Sequence, residues 1–302
     1  LGARFRVPAI LPLLFAGFLL GPGIGVLDPD AVFGDLLFPV ISMAVAVILF
    51  EGALTLRFAD LRGAATPVIR LVTIGVVVTV AVLAWAAHEI FGFPWPLALL
   101  FGSIGAVSGP TVVMPLLRTV RPTEKVAQIL RWEGILIDPV GAVLAVVLFE
   151  AIIAAGALSE GSSVLSFIRV FALGGAIGAG LGFGFGWLLK RHLIPDYLIN
   201  ISTLGLVLLS FTASNMAAHE SGLVAVTVMG IVLGNMKGLR TGDLIDFKES
   251  LSVLLISALF IVLAARVDFG PMVSIAWQLV LLMGVVLFVA RPLNVLASTL
   301  GS

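Results

Sequence analysis

The sequence predicts an all-α, polytopic membrane protein with about ten transmembrane helices, at least one of them broken. Composition is the first reason: 60% of the 302 residues are hydrophobic and 11% are charged. The mean hydropathy of +1.21 lies far from the balance of a soluble domain. Length is the second reason, because apolar runs recur along the chain that can cross about 30 Å of hydrocarbon, a task for about 20 helical residues. The third is charge spacing, since Lys and Arg gather in alternate connections between the runs.

The runs fall at residues 8–27, 36–56, 66–90, 95–117, 132–156, 166–189, 197–217, 222–236, 250–265 and 271–290, the eighth being short. One set of alternate connections holds Arg4 and Arg6, Arg57 and Arg62, Arg118, Arg121, Lys125 and Arg131, Lys190 and Arg191, Lys237, Arg240 and Lys248, then Arg291. The other set holds Arg169 and Arg266. Basic residues are retained on the cytoplasmic side, so the first set is read as cytoplasmic. In the sixth run Gly174, Gly178, Gly182 and Gly186 share a helical face that permits close approach, by a helix of the same chain or by a second subunit. In the seventh, Ser210, Thr212, Ser214 and Asn215 are expected to make interhelical hydrogen bonds.

No soluble domain or long polar linker interrupts these runs, and residues 1–302 read as a single transmembrane domain. A formal net charge of zero offers no basic field for nucleic acid. The absence of cysteine excludes disulfides, thiol catalysis and cysteine-held metals. The chain opens at Leu1 without a signal-peptide pattern and reads as an internal piece of a longer protein.

Asp138 interrupts the fifth run. An ionised Asp at the centre of a span costs about 2.5 to 3.5 kcal/mol on insertion scales, and such residues usually face a cavity and mark ion or proton pathways. Gly134, Gly141, Ala142 and Ala145 share its helical face, so little bulk would screen the carboxylate. Pro139 adds a disturbance, lacking an N–H and crowding the Ile135 carbonyl. The plainer readings are that Asp138 caps a broken helix or pairs with a buried base. Glu51, near the cytoplasmic end of the second run, either faces the same region, snorkels to the interface or pairs with Arg57. Glu133, at the mouth of the Asp138 helix, suits the helix dipole and reads as structural.

The fourth run carries the other half of a candidate site. Ser108-Gly109-Pro110-Thr111 is expected to interrupt its helix, or at the least to kink it. Backbone freed inside a membrane is tolerated only where protein or water satisfies it. Transporters place such breaks near the midplane, where unwound carbonyls meet a coupling cation. A carboxylate withdrawn from water can hold either a proton or a small cation, and the two then compete. Exposed alternately to the two sides of a membrane, one such site would couple their opposite flow.

These residues are similar to those of a known family. Glu133-Gly-Ile-Leu-Ile-Asp138 with Pro139, the Ser-Gly-Pro break at 108 to 110, Leu49-Phe-Glu-Gly52, and Ser221-Gly-Leu-Val-Ala225 with Gly230 and Gly234-Asn235 resemble bacterial cation/proton antiporters of the sodium/proton exchanger type. The resemblance implies a homodimer in a bacterial inner membrane, whose subunit has a dimerisation part and a core with crossed, broken helices. It implies Na+ or K+ and H+ as transported ions, with no cofactor. Carried over by position, Asp138 is the ion- and proton-binding residue and Glu51 an acid facing it. Ser108, with Gly109 and Thr111, lies at the helix break, shaped by Pro110. Glu133 matches a glutamate that in relatives pairs with an arginine of a late helix. That arginine is expected beyond Asn294, in helices outside the sequence.

Several positions depart from the family pattern. Gly109 stands where an aspartate is common, Ile137 where Asn or Asp precedes the key aspartate, and Gly134 where serine is common. Two other readings remain at this point. A potassium channel or gated efflux system on the same scaffold would need no counter-moving proton. An intramembrane hydrolase needs a nucleophile and a positioned base, but His88, His192 and His219 fall at run ends and no Gly-x-Ser-x-Gly is present. A transporter, not an enzyme, is the expectation.

Overall fold

The computed structural model describes residues 10–61, 65–109, 113, 116, 117, 120–153, 161–237 and 241–299. Among them helices follow the predicted order. They are α1 (Ile10–Gly23), α2 (Pro29–Leu54), α3 (Ala65–Phe91), α4 (Trp95–Gly105), α5 (Glu124–Ile153), α6 (Gly161–Lys190), α7 (Asp196–Ala217), α8 (Ser221–Asn235), α9 (Thr241–Ala265) and α10 (Ala276–Thr299). A short helix, Phe269–Ser274, precedes α10. Six of them, α2, α3, α5, α6, α7 and α10, are long and apolar enough to cross a membrane; the others include shorter apolar helices.

Local chemistry sets several ends. Asp28 opens α2, its Oδ1 accepting from the amides of Asp30 at 3.0 Å and Ala31 at 3.2 Å, with Pro29 in the first turn. This satisfies amides that the helix itself leaves without partners. Gly92 closes α3 in the left-handed region at φ +68°, its N–H returning to His88 O at 2.9 Å.

The helices pack in two groups. In the first, α8 lies against α6, α2 and α7, and α9 lies against α1 and α2. Glycine allows backbone to meet backbone here. A Cβ at Gly174 would stand 2.6 Å from Ser221 O, one at Gly178 would run into Ala225 O, and one at Gly230 would stand 2.6 Å from Phe50 O. The glycine face of α6 therefore serves packing within the chain. Ser214 and Ser221 hydroxyls meet at 2.7 Å, and Asn215 Oδ1 accepts from Gly222 N at 2.7 Å, which ties α7 to α8. Thr212 is exposed. Ser210 is buried, and its hydroxyl finds no hydrogen-bond partner among the described residues.

The second group joins α4 to α3 and α5, and α10 to α3. Helix α5 touches both groups, meeting α2, α6 and α8 on its other side. Three boundaries differ from the sequence reading. Helix α5 begins at Glu124, eight residues before the expected 132, because Glu124, Lys125, Gln128 and Arg131 in its first two turns lower the local hydropathy. It runs unbroken through Pro139, which is buried, so the expected disturbance there does not interrupt the helix. Helix α10 does not stop at 290 but continues to Thr299.

Candidate functional site

Helix α4 ends at Gly105. Its last backbone bonds are Ala106 N to Gly102 O at 3.0 Å and Val107 N to Ile104 O at 3.4 Å, after which Val107, Ser108 and Gly109 have no regular structure. This open stretch lies across α5 between two glycines. A Cβ at Gly134 would stand 3.3 Å from Ser108 O, and one at Gly141 would collide with Val107 Cγ2. Asp138 lies four residues beyond the first glycine and three before the second, on the same helical face. The α5 face that carries it is therefore the one turned to the helix break. Asp138 is half-buried, with no hydrogen bond or ion pair to the described residues. Ser108 and Gly109 are half-buried, while Pro110 and Thr111 lie outside the described residues.

The α2 turn that carries Glu51 approaches α5 from the first group. Glu51 is half-buried on α2, and the next residue, Gly52, packs on Ile135, a Cβ there standing 3.4 Å from Ile135 Cδ1. The Glu51 turn thus lies beside the α5 turn that precedes Asp138.

Two apolar clusters join the groups on either side of Asp138. Toward the start of α5, Trp132 and Ile135 pack with Ala53, Leu56 and Val68, and Phe58 stacks on Trp132 with ring centroids 6.0 Å apart. Toward its end, Val143 and Val147 pack with Val170 and Val224. Ile137 is buried with Val76, Val80 and Ala106, so that flank of Asp138 is apolar.

Glu133 corrects the sequence reading. The family pattern puts its partner beyond Asn294, yet Arg291 holds it from within the chain. Arg291 Nη1 donates to Glu133 Oε1 at 2.6 Å and Nη2 to Oε2 at 3.1 Å, and Glu133 is 1% exposed. Arg291 is not in a connection, as the charge pattern suggests, but is the first residue after a π-helical segment, Val286–Ala290, inside α10. Two further side chains have partners that the sequence does not reveal, Asn235 standing there only as part of the family pattern. Asn294 Nδ2 donates to Thr79 Oγ1 at 2.8 Å. Asn235 donates to Leu56 O and Ile231 O, each at 2.8 Å, and accepts from Phe58 N at 2.7 Å, tying α8 to the end of α2.

The comparisons with known proteins agree with this architecture. The family described as sodium/hydrogen exchanger, transmembrane, matches residues 1–302. A K(+)/H(+) antiporter, NhaP2, of Shewanella oneidensis is 30% identical over 310 residues, covering 99% of this chain and 52% of that protein. Na(+)/H(+) antiporter 1 of Methanocaldococcus jannaschii is 26% identical over 314 residues, covering 99% of this chain and 72% of that protein. The solved structure of the sodium proton antiporter MjNhaP1 from the same organism superposes with a TM-score of 0.86 at 24% identity, covering all of this chain and 74% of that one. The chain thus spans about half the length of the NhaP2 relatives it matches. With the fold shared and the family match running from end to end, the chain is a member of the sodium/hydrogen exchanger family.

Proposed function

We propose that the protein containing this chain exchanges protons for a monovalent cation, Na+ or K+, across a bacterial inner membrane as a homodimer, with Asp138 as the group that holds either ion. One observation carries the reading: a carboxylate within an apolar helix, with no described partner, faces a break in α4 between two glycines. A carboxylate so placed is costly unless it serves a pathway. Relatives named for K(+)/H(+) and for Na(+)/H(+) antiport support exchange and leave both cations open.

In this reading ionised Asp138 takes up a cation, helped by Glu51 and by the backbone and hydroxyl oxygens of Ser108, Gly109 and Thr111. Arrival of a proton neutralises Asp138 and releases the cation, so one site holds one ion or the other. The two apolar clusters are the seals, and coupling requires that they never open together. The Trp132 seal closes the end that the charge pattern assigns to the cytoplasm, and the Val147 seal closes the opposite end.

The test is cation-dependent dissipation of a pH gradient by the full-length protein in vesicles, compared across sodium, potassium and lithium. Asp138→Asn is expected to abolish exchange. Exchange at the wild-type rate in that variant would remove Asp138 from the mechanism, and cation flux without proton counterflow would favour the channel reading.

A further inference from the structure

Helix α3 carries a π-helical segment at Leu71–Gly75, and α10 carries another at Val286–Ala290. Each such segment adds a residue to a turn, rotates the face that follows and disturbs the regular ladder of carbonyls and amides. The two helices meet at these places. A polar seam fills the contact. Thr79 Oγ1 donates to Gly75 O at 2.8 Å and accepts from Asn294 Nδ2 at 2.8 Å. Ser298 Oγ lies 3.3 Å from Asn294 Oδ1 and 3.4 Å from Arg70 O, at the other end of the α3 π segment. Asn294 is 2% exposed and Ser298 fully buried. The approach depends on Gly75, where a Cβ would collide with Asn294 Oδ1.

Arg291, Asn294 and Ser298 are spaced three and then four residues apart, and so share one face of α10. If that face turned by one residue, about 100°, Arg291 would leave Glu133. From the π segment onward no large apolar side chain of α10 specifies that rotation, because those there, including Leu287, Phe288, Leu293 and Leu296, are exposed. A buried amide whose Nδ2 meets the Thr79 hydroxyl on the facing helix does specify it, since leaving such groups unmatched is costly.

We propose that Asn294, through Thr79, is a positioning residue: it fixes the rotation of α10 beyond its π segment, aims Arg291 at Glu133, and so sets the α5 turn that leads to Asp138. The consequence for exchange rests on the function proposed above, and two readouts separate the two claims. In the full-length protein, Asn294→Ala and the nearly isosteric Thr79→Val are expected to raise the KM for cation about tenfold, the scale of one lost buried hydrogen bond. Thr79→Ser, which keeps the hydroxyl, restores the wild-type value. In an Arg291→Met background the same replacements add no further change, because the interaction they serve is already lost. The thermal midpoints of the same set give a second cycle that needs no transport, with the same non-additivity expected. Additive effects in both cycles would overturn the proposal, as would an unchanged KM with full exchange in both Asn294→Ala and Thr79→Val. Absence of exchange in the wild type would instead defeat the functional reading, and the thermal cycle would still decide the role of Asn294.

Discussion

Replacing Arg291 by methionine is expected to cost far more stability than replacing its partner Glu133 by glutamine. The pair is asymmetric: Glu133 is 1% exposed, whereas the Arg291 side chain is 41% exposed. Methionine leaves a buried carboxylate with neither of its bonds at 2.6 and 3.1 Å, and breaking a buried pair from that side costs about 3 to 5 kcal/mol. The exposure of Arg291 favours the lower figure. Glutamine keeps an oxygen that accepts from Arg291 and leaves a guanidinium that is already partly outside, a loss of about 1 kcal/mol. Converted at about 2 to 4 °C per kcal/mol, Arg291→Met lowers the thermal midpoint by about 6 to 12 °C and Glu133→Gln by about 2 to 4 °C. The double variant recovers most of the difference, because no buried charge remains. The assay is thermal unfolding of purified full-length protein in detergent, followed by loss of helical circular dichroism. Equal losses in the two single variants, or a double variant worse than Arg291→Met, would refute the reasoning.

Three other replacements follow from distances given above. Gly141→Val puts bulk where a Cβ alone already collides with Val107, so it is expected to displace the helix break and abolish exchange in vesicles. Asn235→Ala removes three hydrogen bonds and leaves the Leu56 carbonyl and Phe58 amide unmatched, a loss of about 2 to 3 kcal/mol measured by thermal unfolding. Gly92→Ala meets no atom within 4 Å but must hold φ +68°, so it costs about 1 kcal/mol in the same assay through backbone strain alone, with exchange intact.

Much of this arrangement is written in the local sequence. Apolar runs mark the helices because hydrocarbon demands them, and Asp138 and the Ser108 break stand out because each violates its surroundings. The Glu133 partner does not stand out. Its ion pair spans 158 positions, and Arg291 follows an apolar run in the manner of an ordinary connection. The helix continues through the π segment and past Arg291, where hydropathy falls. Asn294 is hidden for the same reason, since its value lies in meeting Thr79 across 215 positions. Pro139 misleads in the opposite direction: the missing N–H is legible, but the helix continues around it.

The backbone contacts through Gly174, Gly178 and Gly230 have a mechanical consequence. Main chain wedged against main chain can neither slide nor tilt without steric clash, so α2, α6 and α8 act as a stiff plate. The unit bearing Asp138 leans on that plate through oily side chains, which can glide past one another at small cost. Under load, the molecule yields at that greasy bearing rather than within the plate.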